Sequence, residues 1–199
     1  MNTDSKVFGA QRSGNNLLLW LLKANYDVRL SGSAASGCKH GLYVVPNKIG
    51  RHLHMIIIAK HPFEWLPSFH RWEVAHDRAP KQFNAFVRNC HPIRYWNGRY
   101  EHWLSIDNGG LKKIKVRYDD LIYSQKQTCD RIAKAIGFSR TKGKFQSTVK
   151  KMTTRNHPGS SKFDPSYYLK QKYLDLYDRE LFRFVRERID WSIVKRMEL

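Results

Sequence analysis

The chain is predicted to be an α/β domain of three layers, a central parallel sheet between two layers of helices. Three stretches carry that expectation. Residues 6 to 22 run from a short apolar segment (Val7, Phe8) through a loop bracketed by Gly9 and Gly14 into a leucine-rich helix (Leu17, Leu18, Leu19, Leu21, Leu22). Met55 to Lys60 is a continuous apolar run rich in isoleucine, the pattern of a strand buried on both faces. Lys113 to Tyr118 alternates charged and apolar residues as a strand does, and a helical pattern follows over 119 to 136 until Gly137 stops it. The order strand–helix, strand–helix, helices, strand–helix argues for parallel strands joined by crossovers.

The remaining elements fall between these. Residues 24 to 35 collect Gly and Ser and read as a loop, and Leu42 to Val45 as a short strand before the Pro46-Asn47 turn. Pro62 suits the first turn of a helix in which Phe63, Leu66, Phe69 and His70 recur, with Pro67 expected to kink or delay it. Residues 80 to 89 read as a short helix. Residues 94 to 106 carry an aromatic stripe (Tyr95, Trp96, Tyr100, Trp103, Leu104) that reads as core. Asp107 to Gly110 is a turn. Residues 139 to 162 are polar and basic, long for a plain connection, and read as a functional loop or lid. Asp164-Pro165 looks like a helix start, with Phe163 positioned to staple onto Tyr168, and one or two helices end near Lys195. No internal repeat is visible, and a single domain over residues 1–199 is expected.

Composition narrows the class. With 41% hydrophobic and 13% aromatic residues the chain can build a core, so a disordered chain is excluded. No apolar run approaches the roughly 20 residues that span a bilayer. The first residues lack the apolar region of a signal peptide. Cys38, Cys90 and Cys129 are odd in number and form no CxxC pair, which suits a reducing compartment, and a cytoplasmic location is expected. A formal charge of +19 predicts affinity for anions: nucleic acid, a phosphate-rich nucleotide or an acidic acceptor. No nucleic-acid motif accompanies the charge and the aromatics read as core, so nucleic acid is the less favoured of these.

The early loop carries the chemistry. Strand, glycine loop and helix start make a phosphate cradle, because free N–H groups and the helix dipole point at an anion. Gly9 and Gly14 stand at the spacing of a nucleotide P-loop, G-x-x-x-x-G-K-[ST], so the fold is expected to be P-loop-like. Asn15 and Asn16 replace the Lys and the Ser/Thr that hold a γ-phosphate and Mg²⁺, and a cation, Arg12, stands inside the loop instead. Arg12-Ser13-Gly14-Asn15-Asn16-Leu17 resembles the 5′-phosphosulfate loop of sulfotransferases that use 3′-phosphoadenylyl sulfate (PAPS), which usually reads Lys/Arg-Ser-Gly-Thr-Thr. The two Asn amides can still donate.

Two further stretches resemble the same family in its order. Lys60-His61-Pro62, with Ser68 eight residues after Lys60, is similar to the Arg-(Asn/Asp)-Pro-x-(Asp)-x-x-x-Ser element that grips the 3′-phosphate. Lys60 replaces the Arg there, a point charge in place of a bidentate fork. Val116-Arg117-Tyr118-Asp119-Asp120-Leu121 is similar to the family's (R)-Y-(E/D)-D-L strand end and makes Tyr118 a cofactor candidate. An apolar strand ending in Asp119 also fits a Walker B aspartate, and Asp119 or Asp120 fits a helix N-cap. Arg155, Ser161 and Lys162 lie in a stretch that resembles the late basic loop closing over the 3′-phosphate. Lys39-His40 resembles the Lys-(Thr)-His element that holds the family's catalytic histidine, with no residue intervening here. His52 and His54 could read as a metal pair but lack a third ligand.

The resemblance implies transfer of a sulfuryl group from PAPS to an acceptor hydroxyl by positioning and electrostatics, with 3′,5′-ADP as product. Under it His40 takes the acceptor proton and Lys39 serves the sulfuryl oxygens. Arg12 and the loop N–H groups stabilise the 5′-phosphate. Lys60, Ser68 and the late loop hold the 3′-phosphate, and no metal is required. The acceptor is a small molecule or glycan; a carbohydrate hydroxyl follows family habit, with a small alcohol, phenol or lipid as alternatives. Two other readings stand beside it: a P-loop phosphotransferase using ATP and Mg²⁺, and a basic nucleic-acid-binding protein.

Overall fold

The computed structural model describes residues 5–30, 39–41, 54–107, 111–152, 158–162 and 164–199. Its centre is a three-stranded parallel sheet: β1 (Ser5–Phe8), β3 (His54–Ala59) and β4 (Lys112–Arg117), with β3 in the middle. Register pairs Val7 with Ile56 and Ile56 with Ile114. A single bridge from Ser5 to Leu30 extends the β1 edge.

Alternation along β3 builds two cores. Met55, Ile57 and Ala59 join Phe8 on one face, with α2 (Pro62–Val74), α3 (Phe83–Arg88), α4 (His91–Ser105), α8 (Arg179–Arg186) and α9 (Trp191–Met197). Ile56 and Ile58 join Val7, Ile114 and Val116 on the other face, with α1 (Asn15–Asn25), α5 (Tyr118–Tyr123) and α6 (Gln125–Ile136). The sheet is therefore helix-covered on both sides, and all five residues from Met55 to Ala59 are fully buried. The expected aromatic stripe is core, with Trp96, Tyr100 and Trp103 buried.

The charged residues of β4 have structural partners of their own. Lys112 reaches the carbonyl of Ala135 at the end of α6, and Lys113 that of Leu104 at the end of α4 (2.7 Å). Lys115 reaches that of Arg196 near the end of α9 (2.9 Å). Each ammonium meets the negative end of a helix dipole, so these three positive charges serve the fold.

The structure corrects four expectations. Pro67 neither kinks nor delays its helix: α2 runs unbroken from Pro62 to Val74. Proline offers no N–H to the carbonyl of Phe63 four residues back, and the Tyr177 hydroxyl donates to that carbonyl instead at 2.8 Å. The helix expected over 119–136 is two helices, broken at Ser124, where ψ is 49°. Beyond the break, the Gln125 amide pairs both ways with the backbone of Thr148 (2.7 and 3.0 Å). Neither Asp119 nor Asp120 is an N-cap. Arg117 holds that position, and both carboxylates sit in the first turn of α5, where the dipole favours them.

Finally, part of the 139–162 stretch is strand rather than loop. β5 (Ser139–Arg140) pairs antiparallel with β2 (Tyr26–Asp27), and β6 (Lys150–Met152) with β7 (Pro158–Lys162). After it come α7 (Pro165–Leu169) and a 3-10 turn (Lys172–Leu176). The expected cap is present: Asp164 accepts from the Ser166 amide at 2.9 Å, ahead of Pro165. Its staple partner Phe163 and the expected 42–45 strand lie outside the described residues. Among the described residues no helix is long and apolar enough to cross a membrane.

Candidate functional site

The three sequence signatures meet at the carboxyl edge of the sheet, where ligands bind in open parallel sheets. The loop Gly9–Gly14 follows β1, Lys60 follows β3 and Tyr118 follows β4. Close packing dictates both glycines. A Cβ on Gly9 would lie 2.6 Å from the Ile58 carbonyl oxygen. One on Gly14, at φ +93°, would lie 2.5 Å from the Tyr118 ring. Neither position has room for a side chain, and Gly14 also needs the left-handed backbone.

Side chains from distant helices hold the loop. The Tyr100 hydroxyl donates to the Ile58 carbonyl at 2.8 Å, accepts from the Ala10 amide at 3.3 Å and lies 3.0 Å from Ser13 Oγ. Trp65 Nε1 donates to the Gln11 carbonyl at 2.6 Å. Asn15 turns inward and donates to the carbonyls of Gly9 (3.2 Å) and Ala10 (3.0 Å), so its side chain braces the loop and only its backbone N–H faces the helix mouth. Leu17 likewise is core, with only its backbone at the helix start. Ser13 is fully buried against Tyr100. What the loop presents at the helix start is therefore mostly backbone. The N-terminus of α1 has no side-chain cap and no acid in its first turn, which leaves its first N–H groups for an anion. Arg12 is exposed beside them, at φ +68°, an uncommon backbone for a non-glycine residue.

Lys39 and His40 dock onto the same loop. The Gly9 amide donates to the Lys39 carbonyl at 3.1 Å, and His40 Nδ1 donates to the Gly9 carbonyl at 2.8 Å. Lys39 Nζ donates to Asn16 Oδ1, and Trp103 Nε1 holds the Gly41 carbonyl at 3.1 Å. Because a carbonyl only accepts, Nδ1 carries a hydrogen, and Nε2 keeps its lone pair when the ring is neutral. Burial, with help from the Lys39 charge, pushes the imidazole below its ordinary range; the Gly9 bond opposes the shift.

Lys60 and Ser68 also come together, in a more closed setting than a strand-end lysine suggests. Lys60 is only 2% exposed. Its Nζ lies 3.8 Å from the Tyr118 ring centre and 4.7 Å from that of Tyr168 on α7, a cation between two π faces. It donates to Ser68 Oγ over a long 3.4 Å and lies 3.2 Å from Glu64 Oε1. Glu64 is 3% exposed, and burial pushes its carboxyl up to about 7. Tyr118, pressed between Gly14 and Lys60, links the glycine loop to the Lys60 cluster.

Ser161 and Lys162 lie exposed on β7, with Lys162 opposite Lys150, and have no described contact with the loop or with Lys60; Arg155 lies outside the described residues. Among the described residues no three His, Cys, Asp or Glu side chains converge as metal ligands would. Reasoning from the sequence missed Tyr100, Trp65, Trp103 and Glu64. The only trace the three aromatics leave is a hydrogen-bonding tip on a residue that otherwise reads as core. In comparison with known proteins, no family model matches the chain and no curated protein matches it significantly.

Proposed function

We propose that this chain is a PAPS-dependent sulfotransferase of P-loop-like fold that moves a sulfuryl group to an acceptor hydroxyl. One observation carries the reading: His40 is tied to Gly9 of the glycine loop through its Nδ1, so a ring whose Nε2 holds the lone pair of the neutral form stands on the loop itself. The fit at the 5′ end rests on an uncapped helix start and two glycines with no room for Cβ. The fit at the 3′ end rests on the buried Lys60 beside Ser68.

When bound, PAPS supplies a sulfuryl group attached to a phosphate leaving group. The residues here do the rest. With that group in place, His40 Nε2 would take the proton of the acceptor hydroxyl. The N–H groups at the start of α1 and the Arg12 guanidinium stabilise the charge that grows on the departing oxygen. Lys39, steadied by Asn16, places an ammonium at the loop edge for the sulfuryl oxygens. Lys60 and Ser68 would hold the far phosphate and so orient the nucleotide. The acceptor is a small molecule or glycan.

The test is a thermal-shift comparison of 3′,5′-ADP against ATP with Mg²⁺, each with and without EDTA, followed by a radiolabelled sulfuryl-transfer screen over acceptor classes. Stabilisation by 3′,5′-ADP that EDTA leaves intact is expected. Stabilisation by ATP alone, lost with EDTA, overturns the reading in favour of a phosphotransferase.

A further inference from the structure

We propose that Glu64 is itself a ligand-binding residue of the Lys60 site: in its protonated form it donates a hydrogen bond to the anion held there, so the anion is taken up together with a proton. The inference rests on the sulfotransferase reading only in naming that anion as the 3′-phosphate of the nucleotide.

Geometry makes the case. Glu64 sits one helical turn after Lys60, at 3% exposure, with Oε1 3.2 Å from Nζ. The two form a buried ion pair, with Nζ off the line of a well-aligned hydrogen bond to Oε1. The Asp119 carboxylate on α5 faces the Glu64 carboxyl and raises the cost of a second negative charge there. An arriving phosphate dianion would therefore meet one ammonium and a buried carboxylate at nearly the same place. Two like charges in a site this dry repel strongly. A proton on Glu64 removes the repulsion and makes the carboxyl a hydrogen-bond donor.

The surroundings favour the neutral form already. Burial lifts the Glu64 carboxyl to about 7, Asp119 adds to the rise, and Lys60 opposes it. From the other elements, Tyr118 on α5 and Tyr168 on α7 pack on Lys60, the Glu64 charge also reaches Tyr123 and Tyr173, and burial holds Tyr118, Tyr123 and Tyr173 above their ordinary range. Arg117 at the end of β4 lies 3.7 Å from Asp119. His61 faces Asp119 and Arg117, and burial keeps it below its ordinary value, so its charge change falls on the acid side of neutrality. Between pH 7 and 8.5 a free phosphate monoester is already a dianion, since its second ionisation lies near about 6. Glu64 is then the group in this cluster placed to take the proton.

The experiment is titration calorimetry of the full chain with 3′,5′-ADP at pH 7.5 in two buffers of different ionisation enthalpy, repeated across pH 7 to 8.5 with wild type and Glu64→Gln. Wild type is expected to take up a substantial fraction of one proton per nucleotide and to lose up to about tenfold in affinity per pH unit. Glu64→Gln, which keeps a donor and loses the charge, is expected to take up none and to bind with little pH dependence. Nucleotide binding without proton uptake by wild type overturns this inference and leaves the sulfotransferase reading standing. Failure of wild type to bind the nucleotide overturns both. The buffer comparison needs no variant, so a Glu64→Gln chain that fails to fold leaves the measurement decisive.

Discussion

His40 Nδ1 and the carbonyl oxygen of Gly9 are 2.8 Å apart, and that one bond sets both the tautomer of the ring and its position on the loop. His40→Ala is expected to lower turnover by about 10²–10⁴ while nucleotide affinity stays nearly unchanged. Arg12→Ala is expected to do the reverse in part, weakening 3′,5′-ADP binding measured by calorimetry. Because the imidazole is held below its ordinary range, the acid limb of the kcat profile should fall below pH 6.5, with a plateau above it. A fully active His40→Ala chain would remove the residue from the mechanism.

Gly14 has no room to grow. Gly14→Ala drives a Cβ into the Tyr118 ring at a backbone angle that L residues avoid, and should cost about 1–3 kcal/mol. Since Tyr118 also covers Lys60, the variant should weaken nucleotide binding beyond its effect on stability. Denaturant melts set beside binding curves read the two effects separately; unchanged stability and binding would contradict the packing.

Tyr100 joins β3, the loop and α4 through one hydroxyl. Tyr100→Phe keeps the ring and strands the Ile58 carbonyl, the Ala10 amide and Ser13 Oγ in a dry interior. A loss of about 1–3 kcal/mol is expected, with faster amide exchange at Ala10 and Ser13. Exchange rates equal to wild type would show that the loop does not depend on that clamp.

The Tyr177 hydroxyl stands in for the N–H that Pro67 lacks. Tyr177→Phe should destabilise by about 1 kcal/mol or more by leaving the Phe63 carbonyl unmet. Pro67→Ala supplies an N–H at that position, so adding it should recover part of the loss. A double-mutant cycle measures this coupling, and strict additivity would refute it.

Glu64 also predicts a pH dependence of stability. Its folded carboxyl is raised from the usual 4.5 to about 7, so its stabilising effect is fully present below about pH 4.5 and is lost as pH rises through about 7. The stability of Glu64→Gln relative to wild type should therefore improve between pH 5 and 8, read from urea melts at fixed ionic strength. A flat difference would mean the carboxyl titrates normally.

The sequence by itself determined the parallel sheet, the two glycines, the buried central strand and the convergence of Arg12, Lys60 and Tyr118 at one edge. These are local signals: a left-handed turn, an unbroken apolar run and a strand end are each written in a few adjacent residues, and strand direction does the rest. Only the tertiary structure decided that Asn15 braces the loop and that Lys60 is sealed between two tyrosines beside Glu64. It alone decided that Pro67 costs its helix nothing visible, and that Tyr100 ties loop to strand. Tyr100 meets Ser13 across 87 residues and Tyr177 meets Phe63 across 114. A contact that distant leaves no period in the chain, because what makes it is the closing of two helix layers onto the sheet.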